Sequence, residues 1–229
     1  MVVGSGLLAN TFATFKDNED VIIFASGVSN SGCVDPEQFK RESNLVAEYK
    51  TSKKLFVYFS ASSIEDPFLK GSLYIKHKLE IEFYIKANFQ RYLIMRLPNV
   101  IGKTKNPNTL INFVYNCVQR GEKINIQLKA SRYLIDVTDI FSFLDKVIVN
   151  EVDLNKTVNL IIAEKLSVLQ IVESFEDHLG KNIEKEILSN AGGDYLLEVD
   201  DIFNKYGICN LINGKEYLDN LMEKYYPVC

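Results

Sequence analysis

Two side chains near the middle of the chain, Tyr74 and Lys78, have the types and the spacing needed to move a proton. Residues four apart lie on one face of an α-helix, so a helix over 72–87 would place the phenol beside the ammonium group. A neighbouring cation stabilises the phenolate and lowers the tyrosine pKa, which makes tyrosine a usable acid or base near neutral pH. The same spacing also occurs on ordinary solvated helix faces. His77 is expected to face away from Tyr74, on the solvated side.

A glycine turn at the start of the chain could hold phosphate groups. The segment Gly4-Ser5-Gly6-Leu7-Leu8-Ala9 follows a short apolar strand, Met1-Val2-Val3, and precedes a helix predicted to reach about Lys16. Glycines at this spacing permit a tight turn and close approach to a pyrophosphate, which the positive end of the helix would attract. An ordinary strand-to-helix turn that binds nothing fits the same residues.

The composition indicates a soluble globular protein. The 229 residues are 47% hydrophobic and 24% charged, which is the balance of a chain that builds a core. A net charge of -4 argues against nucleic acid or an anionic membrane surface as the main partner. Apolar runs are too short to span a bilayer, and the N-terminus resembles a buried strand more than a signal peptide.

The cysteines and histidines are few and scattered. Four cysteines without a C-x-x-C pair favour a reduced, cytoplasmic setting, and two distant histidines make a metal site improbable. Cys33 follows a strand and could be either a reactive thiol or a plain loop residue.

Strand-like and helix-like segments alternate along the chain, which predicts an α/β fold with a parallel sheet covered by helices. Residues 1–229 are predicted to form a single domain, to which 155–229 contribute a small, mostly helical C-terminal lobe on the substrate side. The last forty residues hold two amphipathic segments. Strands are predicted at 21–25, 55–59, 92–96, 124–128 and 157–162, and helices at 36–50, 72–87, 108–119, 137–149 and 166–180.

The order of several motifs resembles a known family. The glycine turn is followed by Phe24-Ala25-Ser26-Gly27, by the serine cluster Ser60-Ala61-Ser62-Ser63, and by the Tyr74 and Lys78 pair. The loop Arg96-Leu97-Pro98-Asn99-Val100-Ile101-Gly102 and the segment Arg132-Tyr133-Leu134-Ile135-Asp136-Val137-Thr138-Asp139 come next. Over about residues 1–180 this order resembles the extended short-chain dehydrogenase/reductases, in particular the NAD-dependent epimerase/dehydratase family that acts on nucleotide sugars.

The resemblance implies a Rossmann-like doubly wound sheet, NAD or NADP as cofactor, a nucleotide-sugar substrate and a role in polysaccharide biosynthesis. Tyr74 would be the acid/base, assisted by Lys78 and Ser62. Asn99 and Arg132 would contact the substrate, with Arg132 on its diphosphate. Pro98 could instead simply form the loop, Arg132 could be a surface charge, and Asp136 and Asp139 could cap a helix. The cofactor would be lined by Gly4, Ser5, Gly6, Leu7, Leu8, Ala25, Ser26, Gly27, Ser60, Tyr74, Lys78, Pro98, Asn99 and Val100.

The chain departs from that family in two places. Strand 21–25 resembles the family's fourth strand, so the second and third strands are missing, together with the acidic residue that binds the adenosine ribose. Asp17, Glu19 and Asp20 come too early to replace it. The family's catalytic serine or threonine falls on Ala61, unless a one-residue shift brings Ser62 into its place.

Two functions fit this pattern. One is an NAD(P)-dependent reductase or epimerase of a nucleotide-linked sugar. The other is a catalytically degenerate scaffold that binds a nucleotide, a nucleotide sugar or a partner subunit without turnover. The family often pairs through the helix that bears the Tyr-Lys motif, so a homodimer is possible; Leu79, Ile81 and Phe83 would form its face or belong to the core.

Overall fold

The computed structural model describes residues 1–150, 154–189, 192–199 and 211–228. Its centre is a five-stranded parallel sheet in the order β1-β2-β3-β4-β9. The strands of this sheet are β1 (Val2–Val3), β2 (Val21–Phe24), β3 (Leu55–Ala61), β4 (Tyr92–Leu97) and β9 (Lys156–Asn159). The predicted parallel α/β fold is therefore confirmed.

Helices cover both faces of the sheet, which is why its central strands are almost continuously apolar. All four residues of β2 are buried. Val21 and Ile23 point into the larger core, whereas Ile22 and Phe24 point into a second cluster on the opposite face. The helices are α1 (Leu7–Thr11), α2 (Pro36–Ala47), α3 (Leu73–Asn88), α4 (Leu110–Arg120), α5 (Val137–Asn150), α6 (Val168–Leu179) and α7 (Gly214–Tyr225).

Local capping explains most of the helix boundaries. Asp35 accepts a hydrogen bond from Glu37 N at the start of α2, and Ser72 accepts one from Ile75 N at the start of α3. The first helix is shorter than predicted and gives way at Phe12 to a 3-10 helix over Ala13–Phe15. The Thr11 hydroxyl donates to Leu7 O, a local bond that competes with regular helix geometry.

Six short strands form three ribbons outside the central sheet. Strands β5 (Asn99–Ile101) and β8 (Leu134–Asp136) are parallel, as are β6 (Ile124–Gln127) and β11 (Lys185–Leu188). Strands β7 (Ser131–Arg132) and β10 (Leu166–Ser167) are antiparallel. Ser167 also caps α6, so this helix starts at Val168, later than predicted.

Strand β1 lies at the edge of the central sheet and, within the described ranges, pairs with β2 alone. Helix α1 packs on the face that carries α5, whereas α2 and α3 cover the other face. The crossovers from β1 to β2 and from β2 to β3 therefore have opposite hands, although right-handed crossovers are the rule. This geometry agrees with the prediction that a pair of strands is missing between β1 and β2.

The C-terminal part of the described chain shares the main core. Strand β9 belongs to the central sheet, and side chains of α6 and α7, such as Phe175 and Leu218, lie in the same apolar cluster as β3 and β4. The division into a domain and a lobe stays a prediction, and much of the first C-terminal amphipathic segment, with Cys209, lies outside the described residues. No described helix has the length and apolar character needed to cross a membrane.

Candidate functional site

The predicted site residues converge on one edge of the sheet because the strands are parallel and in register. Val3 pairs with Phe24, and Ala61 pairs with Leu97, so the segments that follow these strands leave the sheet at the same edge. This edge carries the carboxyl ends of the strands, where open α/β sheets bind their ligands.

The two glycines of the N-terminal turn have different roles. Gly4 has a φ of 128°, and a Cβ built on it would lie 2.4 Å from Ala25 O, so close packing against the end of β2 requires glycine. Gly6 caps α1, and no heavy atom lies within 4 Å of a Cβ built there. Gly6 and the exposed Ser5 therefore border open space in which a phosphate group would fit. Leu8 packs on the main core and Leu7 lies against Gly102, so their side chains serve packing.

Tyr74 and Lys78 are brought together on the first two turns of α3. Both are buried, with 5% and 2% of their surface exposed. Lys78 Nζ lies 5.8 Å from the centroid of the Tyr74 ring. It donates hydrogen bonds to Tyr58 OH at 2.9 Å and to Glu42 Oε1 at 3.0 Å. These two bonds use two of the three ammonium protons.

Glu42, on α2, is the centre of a buried polar cluster. Its side chain is fully buried and accepts hydrogen bonds from Val28 N at 2.6 Å, Tyr58 OH at 2.6 Å and Lys78 Nζ at 3.0 Å. Its second oxygen lies 3.0 Å from His77 Nε2. Burial works to raise the pKa of Glu42, but the hydrogen bond with His77, the charge of Lys78 and the bonds from Tyr58 and Val28 outweigh it and lower the pKa from 4.5 to about 2.

The pKa of Tyr74 is raised, because the phenol is buried and the Glu42 carboxylate is near. The expected net lowering of the Tyr74 pKa is therefore wrong. Burial lowers the pKa of Lys78 itself, and Glu42 opposes that effect. The positive charge of the lysine is thus balanced by Glu42 and is not directed at the phenol alone.

His77 is buried, so its predicted position on a solvated face is wrong. It is 4% exposed, and its ring stacks on Phe39 with 4.6 Å between centroids. Positions 74, 77 and 78 are three and four residues apart and share one side of the helix, which packs against α2. Sequence reasoning missed Glu42, although a charge between Phe39 and Val46 on the apolar side of α2 was a usable signal.

The serines after β3 have separate environments. The Ser60 hydroxyl donates to Glu82 Oε1 at 2.6 Å, and Glu82 also binds the Arg96 guanidinium. The Ser60 hydroxyl is therefore bound in a cluster with Glu82 and Arg96, and it donates its proton there and not to Tyr74 or Lys78. Ser62 is 1% exposed at the start of a 3-10 helix, and Ala61 packs in the cluster that contains Tyr74.

The predicted substrate residues lie on the ribbons beyond β4. Asn99 Nδ2 donates to Tyr133 O at 3.1 Å, and Arg132 Nη1 donates to Ser131 O at 2.7 Å and to Gly193 O at 3.4 Å. Pro98 and Val100, beside Asn99, are half-buried. Asp136 accepts from Thr138 N and thus caps α5, but it also accepts from Lys224 and Tyr225 of α7.

Residues 192–199 lie against the segment 131–133, beside the predicted substrate residue Arg132. Sequence reasoning did not anticipate this contact. Tyr195 is 8% exposed, and its pKa is raised by burial, while the nearby Ser62 hydroxyl and Arg132 lower it. Asp194 binds Lys165 and Ser131, and Leu197 N donates to Tyr133 OH at 3.3 Å. This segment therefore brings a phenol next to Ser62 and Arg132.

Several solved structures with the same fold contain a uridine-diphosphate sugar, NAD or both. MoeE5 in complex with UDP-glucose and NAD is 17% identical, with a TM-score of 0.74 and coverage of 93% of this chain and 81% of that one. The UDP-N-acetylglucosamine 4-epimerase of Methanobrevibacter ruminantium M1, in complex with UDP-N-acetylmuramic acid, is 20% identical, with a TM-score of 0.67 and coverage of 93% and 77%. The dTDP-glucose 4,6-dehydratase of Bacillus anthracis str. Ames, in complex with NAD, is 16% identical, with a TM-score of 0.70 and coverage of 96% and 78%. No family model matches the chain.

The chain has the fold of the nucleotide-sugar epimerases and dehydratases. In this epimerase/dehydratase fold, the residues present suit one half of a dinucleotide better than the other. Gly6 leaves room for a pyrophosphate, and Lys78 has one donor beyond its two buried bonds. On the adenosine side, β1 is an edge strand in the described part of the chain, so no strand there supplies the acidic residue that usually meets the ribose.

Proposed function

We propose that this protein is an NAD(P)-dependent reductase or epimerase that acts on a nucleotide-linked sugar. The observation that carries the proposal is the convergence of the glycine turn, the Ala25–Gly27 segment, Ser62 and the Tyr74–Lys78 pair at one edge of an epimerase/dehydratase fold. An added Cβ at Gly27 would lie 2.9 Å from Lys78 Nζ, so the backbone after β2 directly overlies the lysine.

Each residue has a role that follows from its chemistry. The bound nicotinamide would supply hydride exchange with a carbon of the sugar. Tyr74 would carry the proton of the sugar hydroxyl as a neutral phenol, the form that its raised pKa favours. Lys78 would donate its remaining proton to the cofactor ribose, and Ser62 would donate to the sugar oxygen. Arg132 would meet the substrate diphosphate, since a planar guanidinium matches paired phosphate oxygens.

A second candidate is a scaffold that binds a nucleotide, a nucleotide sugar or a partner subunit without turnover. Two observations favour it: Lys78 is paired with the buried Glu42, and β1 lies at the edge of the described central sheet. The sequence register that puts Ala61 at the family's catalytic hydroxyl, unless Ser62 is shifted into its place, also favours it. The enzyme and a nucleotide-binding scaffold both predict nucleotide binding, whereas a scaffold for a partner subunit does not. The enzyme alone predicts chemistry at Tyr74.

Cofactor titration followed by turnover tests the proposal. We expect NADH or NADPH to bind at micromolar to millimolar concentrations, measured by nicotinamide fluorescence, and UDP-glucose, UDP-N-acetylglucosamine or dTDP-glucose to be turned over. Tyr74→Phe should lower kcat by at least about 10²-fold, the scale of a lost general acid/base, while cofactor affinity stays within threefold. Tyr84→Phe, on the same helix and half-buried, is the matched control.

The outcomes separate the two candidates. Failure of both NADH and NADPH to bind at millimolar concentration would overturn the enzyme proposal. Binding without turnover of any of the three sugars would favour the scaffold, and full activity of Tyr74→Phe would remove Tyr74 from its role. A cytoplasmic setting and a role in polysaccharide biosynthesis remain predictions.

The homodimer also remains a proposal, now with a smaller set of residues. Ile81 is buried at 3% exposure and belongs to the core under α3. Leu79 and Phe83 are 42% and 75% exposed, so these two side chains would form the pairing face.

A further inference from the structure

The cluster around Glu42 joins three elements that the proposed reaction needs in fixed positions. Glu42 lies on α2, Lys78 lies on α3, and Val28 follows β2. Tyr58, on β3, bridges the pair, since it donates to Glu42 and accepts from Lys78. A single carboxylate therefore ties the lysine to the backbone segment that overlies it.

The charges show why a carboxylate is needed at this point. Lys78 is 2% exposed, and a buried ammonium is stable in its charged form only when an anion faces it. The titratable groups near Lys78 are Glu42, Tyr58, Tyr74, the His77 ring on the other oxygen of Glu42, and the more distant Glu82. Of these, Glu42 alone touches the ammonium as an anion, because Glu82 is bound to Arg96 and Ser60.

The steric fit shows that the arrangement is narrow. A Cβ on Gly27 would lie 2.8 Å from Glu42 Oε1 and 2.9 Å from Lys78 Nζ, so a side chain there would displace these two groups from their hydrogen-bonded positions. The third proton of the ammonium group is not used by Glu42 or by Tyr58. Fixing two donors in this way restricts the direction of the third.

We propose that Glu42 is a positioning residue for the Tyr74–Lys78 pair. Glu42 holds Lys78 as a charged donor beneath Gly27, so that the remaining proton of the ammonium group is presented to the cofactor ribose. The role toward the ribose rests on the proposed function. The hold of Glu42 on the Lys78 ammonium does not, and it can be measured in the protein without any nucleotide.

The direct test uses protein labelled with ¹³C and ¹⁵N at its lysines, with the Lys78 signal assigned from Lys78→Arg. Glu42→Gln keeps the size and one acceptor oxygen but removes the charge, so we expect the Lys78 pKa to fall by at least one pH unit. Glu48→Gln, an exposed substitution at the C-cap of α2, should leave the Lys78 titration unchanged. Glu42→Asp keeps the anion and should restore most of the wild-type titration.

The same variants are then titrated with NADH. We expect at least tenfold weaker binding for Glu42→Gln, and binding within threefold of wild type for Glu42→Asp and Glu48→Gln. If Glu42 served only to stabilise the fold, Glu42→Gln would reduce the folded fraction, and with it NADH binding, without moving the Lys78 titration. The titration therefore separates positioning of Lys78 from a general loss of folded protein.

The results distinguish this proposal from the proposed function. An unchanged Lys78 titration in Glu42→Gln would overturn the positioning role. Should that variant not fold, the wild-type protein decides: Lys78 ammonium protons that exchange as fast as those of exposed lysines would also overturn it. Absence of NADH binding by wild type, with a shifted Lys78 titration in Glu42→Gln, would refute the proposed function and the ribose role but keep the hold on Lys78.

Discussion

Replacement of Glu42 by glutamine should change how the stability of the protein depends on acid. The carboxylate is fully buried and has hydrogen bonds or an ion pair with Val28, Tyr58, His77 and Lys78. These partners favour the ionised form in the folded state. The unfolded chain lacks them, so there the carboxyl group titrates near its ordinary value of 4.5.

The magnitude follows from the two pKa values. The folded pKa of about 2 is below 4.5, so the ionised carboxylate stabilises the fold fully above pH 4.5 and this stabilisation is lost as pH falls through 2. The interval corresponds to about 3 kcal/mol at neutral pH and to about 1 kcal/mol at pH 2.5. Glutamine does not titrate, and it leaves the buried ammonium of Lys78 without its counter-charge, which is a loss of about 3–5 kcal/mol at neutral pH.

Urea unfolding followed by circular dichroism, at several pH values from 6 to 2.5, measures the difference directly. The gap in unfolding free energy between wild type and Glu42→Gln should be largest at pH 6 and should narrow by about 2 kcal/mol toward pH 2.5. Glu48→Gln, which is exposed, should follow wild type within about 0.5 kcal/mol at every pH. A gap that stays constant over this range would refute the account of the buried carboxylate.

Three further changes test other parts of the structure. Gly27→Ala should lower the free energy of unfolding in urea by about 1–3 kcal/mol and weaken NADH binding about tenfold, because its Cβ would lie within 3 Å of two buried charged atoms. In the control variant Gly71→Ala, the added Cβ meets no atom within 4 Å, and stability and binding should not change. Lys224→Met removes a half-exposed ammonium group that pairs with the buried Asp136 and anchors α7, and it should cost about 1 kcal/mol. Lys215→Met, in an exposed pair, should cost under about 0.5 kcal/mol. Phe83→Glu should leave the stability of the monomer within about 0.5 kcal/mol of wild type, since the ring is 75% exposed. If the protein sediments as a dimer and this variant still does, pairing through α3 is excluded.

Patterns within single elements were sufficient to predict most of the framework. Apolar runs of strand length gave β2, β3 and β4 within one or two residues, because a parallel strand buried on both faces must be apolar along its length. The spacing of Tyr74 and Lys78 placed both on one side of α3, and the glycine spacing placed Gly6 beside open space. These features depend on neighbours a few residues away.

The polar interior of the site was decided by tertiary packing. Glu42 and Lys78 are 36 residues apart in the chain, and their contact exists because α2 packs against α3 over the same face of the sheet. The same packing buries His77 and reverses the expected change in the Tyr74 pKa. The hydrophobic periodicity of a helix indicates which of its sides is buried. The polar group that a buried side chain contacts, however, is supplied by another helix. The sequence by itself thus determined which residues could do chemistry, and the fold determined which charge stands beside them.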